Sequence, residues 1–277
     1  MSDNILLSFL IPGKNSNDYY GSFERLKICL SKHLSNVSNP KYSNVEIVLA
    51  DWGSENKIID TLQIPKNEQF RCVYASPEIT KKYNKDANYS IPHPINMACR
   101  YSRGKYVVFC DCDVYVSTNT FERIVEFVET MQTDNDKSFY WSSRYHIPLE
   151  VHSDTRNFTE LDNYLHNLNL DTIPHDKINT SYFQGCSSAL LMDKELWLDS
   201  TGFWEILNYW GWQDIEFHHR LASKYRFGGD IEDLGMPFFH LAHPSNPNRR
   251  TSPQIMSNLF QANGSIWGLS NENIEII

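Results

Sequence analysis

Three apolar runs constrain the fold of this chain more than any other feature. They are Ile5-Leu6-Leu7-Ser8-Phe9-Leu10-Ile11, Val45-Glu46-Ile47-Val48-Leu49-Ala50 and Lys105-Tyr106-Val107-Val108-Phe109-Cys110. Each is short and nearly continuous in hydrophobicity, the pattern of a strand buried on both faces of a sheet. Helical patterns separate them. Ser22 opens one in which Phe23, Leu26, Leu30 and Leu34 share a face, and residues 96–103 form another. A shorter strand is expected near residues 71–75. After the third run, Asn119 and Glu122 have the spacing of a capping box, followed by an apolar stripe of Phe121, Ile124, Val125 and Val128. Strand, helix, strand, helix, strand predicts an α/β fold: a Rossmann-like, mostly parallel central sheet flanked by helices. Pro12-Gly13 predicts the end of the first strand.

The second half is less regular. Strands are expected at residues 138–143 and 187–192, separated by a polar stretch at 153–180 that holds a short helix around 161–168. Without a repeat, a low-complexity tract or a Pro/Gly linker, the chain reads as a single domain over residues 1–277 with an irregular C-terminal half. With 34 acidic against 25 basic residues the formal net charge is −9, which argues against a nucleic-acid face and against an electrostatic membrane anchor. Met1-Ser2-Asp3-Asn4 lacks the basic start of a signal peptide, and no run approaches the roughly 20 apolar residues of a membrane span. A cytoplasmic protein without a span is expected. Its six cysteines include no C-x-x-C pair and read as reduced thiols.

Chemistry concentrates at the strand ends. In an open α/β sheet the ligand crevice lies at the carboxyl ends of the strands. Asp111-Cys112-Asp113 directly follows the third run, and two carboxylates at i and i+2 there suit a divalent cation and its phosphate ligands, although Asp is also common in plain turns. Asp51, followed by Gly53-Ser54, ends the second run, where a carboxylate can accept from a pyrimidine base or a ribose hydroxyl. The same residues are also good turn chemistry. In Tyr209-Trp210-Gly211-Trp212-Gln213-Asp214-Ile215-Glu216, Asp214 falls in or just before the first turn of a helix. That position suits a cap as well as an ionised general base. Asp214 and Glu216 do not share a helix face, and Trp210 and Trp212 are either packing or a sugar platform. His240 and His243 end a short strand at 237–244. Their spacing of three predicts opposite faces, so at most one imidazole is expected in a metal site. Carboxylate plus imidazole suits Mn²⁺.

Taken in order, these pieces resemble one family: the inverting GT-A glycosyltransferases of the family-2 type, with similarity to chondroitin-polymerase-like enzymes and to the C-terminal motif of β-1,4-galactosyltransferases. Phe9-Leu10-Ile11-Pro12 is similar to that family's opening strand. Val48-Leu49-Ala50-Asp51-Trp52-Gly53-Ser54 resembles its Val-Val-Asp-Asp-Gly-Ser segment, with Trp52 in place of the second acid. Asn96-Met97-Ala98-Cys99-Arg100 through Asp111-Cys112-Asp113 resembles its helix, strand and Asp-x-Asp motif, and Gln184-Gly185-Cys186 its acceptor-side segment. Trp210-Gly211-Trp212-Gln213-Asp214-Ile215-Glu216 resembles Trp-Gly-Gly-Glu-Asp-x-Glu; here Trp212 replaces a Gly, and Gln213 a Glu that helps hold the acceptor sugar.

The resemblance implies roles. Asp214 would be the catalytic base. Pro12, Asp51, Asn96, Arg100, Asp111 and Cys112 would bind the donor, and Gly185, Trp210, Trp212, Gln213 and Glu216 the acceptor. Asp111, Asp113 and His243, with His240 as the fallback, would hold Mn²⁺ or Mg²⁺. Residues 1–118 would form the half that binds a nucleotide-sugar, a UDP-sugar first, residues 119–245 the half that binds a glycan acceptor, and residues 246–277 a tail. A nucleotidyltransferase of similar fold remains a rival, although no Gly-rich, basic loop follows the first strand. The other rival is a non-catalytic glycan-binding or scaffold protein, which the changes at Trp52, Trp212 and Gln213 favour.

Overall fold

The computed structural model describes residues 5–17, 22–148, 151, 158–177, 189–244, 251 and 262–277. The three apolar runs become β1 (Leu7–Gly13), β2 (Val45–Trp52) and β4 (Tyr106–Cys110), and every residue in them is buried. With β3 (Phe70–Ala75) they form a parallel block in which β1 lies between β2 and β4. Helices α1 (Ser22–Val37), α2 (Ile58–Thr61), α3 (Pro77–Asn84), α4 (Pro92–Tyr101) and α5 (Thr118–Asp134) connect and cover these strands. The chain then adds β5 (Val114–Tyr115), β6 (Phe139–Ser142), β7 (Arg144–Ile147), α6 (Phe158–His166), β8 (His175–Asp176), β9 (Ala189–Asp193) and α7 (Lys194–Asp199). It closes with α8 (Gln213–Ala222), β10 (Phe227–Asp230), β11 (Phe238–Leu241) and β12 (Glu275–Ile276).

One eight-stranded sheet runs in the order β10-β6-β9-β4-β1-β2-β3-β12, with β9 and β12 antiparallel to their neighbours. Alternation along β1 sends Phe9 and Ile11 to a core shared with Leu26, Leu30, Phe121 and Ile124, and Leu10 to a second core with Met97, Trp141, Trp197 and Phe217. Full burial of one such side chain is worth about 1.5–3 kcal/mol, so the two apolar faces hold the helices in place.

Two local expectations are corrected. β1 does not stop before Pro12: Pro12 pairs with Ala50 and Gly13 with Asp51. Pairing with β4 has already ended at Leu10 and Phe109, so Pro12 sits on an unpaired edge where its missing N–H costs no ladder bond. The cap of α5 is Ser117, whose hydroxyl accepts from Thr120 N at 3.1 Å, and not Asn119. Glu122 accepts instead from the Tyr42 hydroxyl at 2.8 Å.

The irregular second half holds a second sheet of four short strands, β5-β11-β7-β8. The chain changes sheet at Ser143, between β6 and β7, where Asp230 accepts from Ser143 N at 3.0 Å. This small sheet crosses the carboxyl end of β4 and builds the site.

Candidate active site

A tight turn follows β4. Val114 N donates to Asp111 O at 3.1 Å, which lifts Asp111 and Asp113 to the rim while Cys112 packs against the apolar core beneath. Pairing of β5 with β11 then sets His240 opposite Val114, and Leu241 N donates to Asp113 O at 2.9 Å. The outcome is a compact cluster. His240 Nε2 lies 3.5 Å and His243 Nε2 3.3 Å from Asp113 Oδ2. One ligand atom from each of the three residues falls within 4.8 Å of the others.

Both imidazoles therefore meet Asp113, against the expectation that spacing of three separates them. The reason is that β11 ends at Leu241. Strand alternation governs His240 but not His243, which turns back after the strand. Among the described residues Asp111 does not join the cluster; Arg144 Nη1 lies 3.9 Å from its Oδ2. Two imidazoles and one carboxylate at these separations match donors about 2.0–2.2 Å from a shared divalent ion. The set fits Mn²⁺ better than Mg²⁺, which prefers oxygen ligands.

Two arginines that sequence reading did not single out shape the charge here. Arg25 Nε, from α1, lies 3.3 Å from Asp113 Oδ2 and is itself buried. Its one sequence sign is an arginine inside the apolar stripe between Phe23 and Leu26. Although burial raises the Asp113 carboxyl, hydrogen bonds from His240 and His243 and the Arg25 charge hold it well below the usual range. Asp111 moves the other way: burial and then the Asp113 charge raise it, Arg144 opposes, and the Asp214 charge adds to the rise. Asp214 therefore lies close enough for its field to reach the Asp-x-Asp turn. Tyr89 is a second omission. Burial, then Cys112, Asp51 and Asp111, push its hydroxyl well above the ordinary range, and its ring packs against the second core. A lone loop tyrosine gives no sequence signal.

Asp214 occupies the first turn of α8. Trp212 precedes that helix with a left-handed φ of 71°, and Gly211 has φ 86°. Trp210 is 43% exposed beside this turn. Gln213 is buried, and its amide donates to Leu207 O at 3.0 Å and to Tyr209 O. Glu216 is buried against Arg220 at 2.7 Å, and Arg220 reaches on to Gly202 O at 2.6 Å. The side chains implied as acceptor contacts at Gln213 and Glu216 thus brace the loop before α8.

Several donor-side expectations also land on structure. Asn96 donates to Phe203 O at 2.8 Å and to Glu205 at 3.0 Å, and accepts from Phe203 N at 2.8 Å. Arg100 stacks on Trp267 at 4.3 Å from the ring centre. Both therefore hold the 201–205 loop and the tail, because α4 lies beneath those segments. Asp51 is fully buried; it accepts from Ser54 Oγ, and from Ile58 N at 2.8 Å. Burial pushes its carboxyl up to about 6 despite those bonds. Pro12 is buried beside it at the end of β1. Gly185 lies outside the described residues.

A mostly parallel sheet flanked by helices, with an acid–imidazole cluster at the carboxyl end of its central strand, is the GT-A fold of glycosyltransferases. Within that class the chain belongs to Glycosyltransferase like family 2, whose profile matches residues 28–231. Solved structures agree on the fold. S. aureus TarS 1-349 in complex with UDP-GlcNAc has a TM-score of 0.57 at 14% identity, over 87% of this chain and 60% of that one. A second structure, of S. aureus TarS 1-349, has a TM-score of 0.56 at 14% identity, over 85% of this chain and 60% of that one. The chain thus spans about 60% of those chains. No curated protein matches the sequence. Among the described residues, no helix is long and apolar enough to cross a membrane.

Proposed function

We propose that this protein transfers a sugar, with inversion, from a nucleoside-diphosphate sugar to a hydroxyl of a glycan acceptor. The observation that carries the reading is the Asp113, His240 and His243 cluster at the end of β4, with Asp214 near enough to act on Asp111 electrostatically. UDP is the first nucleotide to test, because the TarS structure of matching fold holds UDP-GlcNAc. Residues 1–118 would form the donor half, residues 119–245 the acceptor half and residues 246–277 the tail of one domain.

Each residue then has a task. Asp113, His240 and His243 would hold Mn²⁺. The bound ion would offset the charge that grows on the departing diphosphate. Arg144, next to Asp111, adds positive charge at the same rim. Asp51 shapes the turn that receives the nucleoside, and Tyr89 borders it. Asp214 would take the acceptor hydroxyl proton as that oxygen attacks the anomeric carbon from the face opposite the diphosphate. At the first turn of α8 the helix dipole favours the ionised carboxylate that a base must be. The exposed Trp210 ring offers a surface for the apolar face of an acceptor sugar.

The test is calorimetric titration of UDP, GDP and CDP with Mn²⁺ and then with EDTA, followed by transfer assays using the matching sugar nucleotides. Mn²⁺-dependent binding of one nucleotide, lost in Asp113→Ala, is expected. Binding of none of the three overturns the reading.

A further inference from the structure

Behind the cluster the small sheet carries a row of polar groups, of which the proposed reaction uses His240 and Arg144 but not His146 or Asp176. Register places His240 of β11 opposite His146 of β7, and Arg144 of β7 opposite Asp176 of β8. The two histidines meet through their Nδ1 atoms at 3.1 Å. His146 Nε2 lies 2.9 Å from Asp176 Oδ2, and Arg144 Nε donates to the same oxygen at 3.2 Å. Asp176 thus anchors two side chains: one leads to His240 and the other to Asp111.

Proton arithmetic fixes the direction of this chain. An ionised carboxylate only accepts, so His146 carries its proton on Nε2 toward Asp176. In the tautomer with that single ring proton His146 offers a lone pair at Nδ1. A contact of 3.1 Å between two ring nitrogens needs one proton between them, and His240 Nδ1 must supply it. With an ion in place of the Nε2 proton that His240 shares with Asp113 in its absence, the lone pair of His240 sits on Nε2, the atom facing Asp113. His240 is held in the tautomer that a metal ligand needs, and a buried imidazole so held is pre-oriented.

We propose that His146 and Asp176 are positioning residues that set the His240 tautomer, making His240 a third protein ligand and allowing Mn²⁺ to bind before the nucleotide does. The inference rests on the metal-assisted reading above and deepens it. With three protein donors the cluster is a resident site, whereas two donors would leave the ion dependent on the diphosphate oxygens. His146 touches neither substrate nor ion and acts only through His240.

The experiment measures Mn²⁺ affinity without nucleotide, by calorimetry and by the paramagnetic resonance of free Mn²⁺. It uses the wild type, His240→Ala, His146→Leu, His146→Gln and the double variant His146→Leu/His240→Ala. Thermal unfolding in EDTA checks that each variant folds. His146→Leu is expected to weaken Mn²⁺ binding about 10- to 100-fold. His146→Gln, whose amide oxygen restores the acceptor for His240 Nδ1–H, should recover most of that loss. In the His240→Ala background the His146→Leu change should cost nothing more, a coupling that a merely structural role for His146 would not produce. Wild-type affinity in His146→Leu, or an undiminished further loss in the double variant, overturns the positioning role. Unchanged affinity in His240→Ala alongside lost binding in Asp113→Ala overturns the third ligand and leaves the proposed function standing. A wild type that binds no Mn²⁺ overturns the metal reading and this inference together.

Discussion

Two aspartates of one kind carry opposite burdens here because their surroundings differ. Asp214 sits in the first turn of α8, and Asp113 is buried among two imidazoles and a guanidinium. Replacing Asp214 with Asn keeps the shape and removes the basicity. Asp214→Asn should therefore bind nucleotide as the wild type does while transfer falls about 10²- to 10⁴-fold. Single-turnover assays beside calorimetry check this, and near-full turnover would end the role of Asp214 as base. Asp51 shows the cost of burying an acid. Its carboxyl, 3.8 in the open, rises to about 6 when folded. A raised acid stabilises the fold fully below the unfolded value and loses that contribution as pH climbs through the folded one. Between pH 4 and pH 7 the stability of the wild type relative to Asp51→Asn should fall by about 2.4 kcal/mol, most of the full shift at roughly 1.4 kcal/mol per unit. Denaturant titrations at both pH values decide it, and a pH-independent difference would mean that folding leaves the Asp51 carboxyl at its ordinary value.

At the scale of elements, the strands β1, β2 and β4 were legible because a run buried on both faces has one appearance in sequence. Of the small sheet only β11 was, as the short strand expected at 237–244. Its strands are two to four residues long, too short for period-two alternation to register, and β7 begins one residue after β6 ends. Missing that sheet meant missing His146, Asp176 and the convergence of His240 with His243. The motif around Asp214 was legible as a helix start, but not its backbone. Trp212 holds a φ of 71°, in the left-handed region where Gly is at ease, and the resembling motif carries Gly at that position. The indole stands there at a conformational cost of about 1–2 kcal/mol. Trp212→Gly should thus leave the melting temperature unchanged or slightly raised in spite of the lost ring. If the indole serves the acceptor, the same variant should raise the acceptor KM and spare donor binding. A marked fall in melting temperature would instead make Trp212 a packing residue whose contacts outweigh its backbone.

On the scale of the whole molecule, the sequence outlined a mostly parallel sheet flanked by helices and left residues 246–277 without a task. The described part of that tail is woven into both sides of the protein. Asn263 donates to Thr201 O and Phe203 O at 2.7 Å, and Gly268 N donates to Glu205 at 2.7 Å, all on the loop that leads to α8. Beyond it, Trp267 and Leu269 are buried in the second core, and β12 pairs with β3 to close the edge of the main sheet. No sequence pattern announces this, because Trp267 and Leu269 have no periodic companions and a two-residue strand carries no alternation. The consequence is mechanical: one segment ties the loop before Asp214 to the β3 edge of the main sheet. Trp267→Ala removes the 5%-exposed indole on which Arg100 stacks and should cost about 3–5 kcal/mol in unfolding free energy. Because the same segment braces the 201–205 loop, the surviving folded fraction should lose transfer rate more than nucleotide affinity. A variant that is destabilised but transfers at the wild-type rate per folded molecule would show that the tail supports the fold alone.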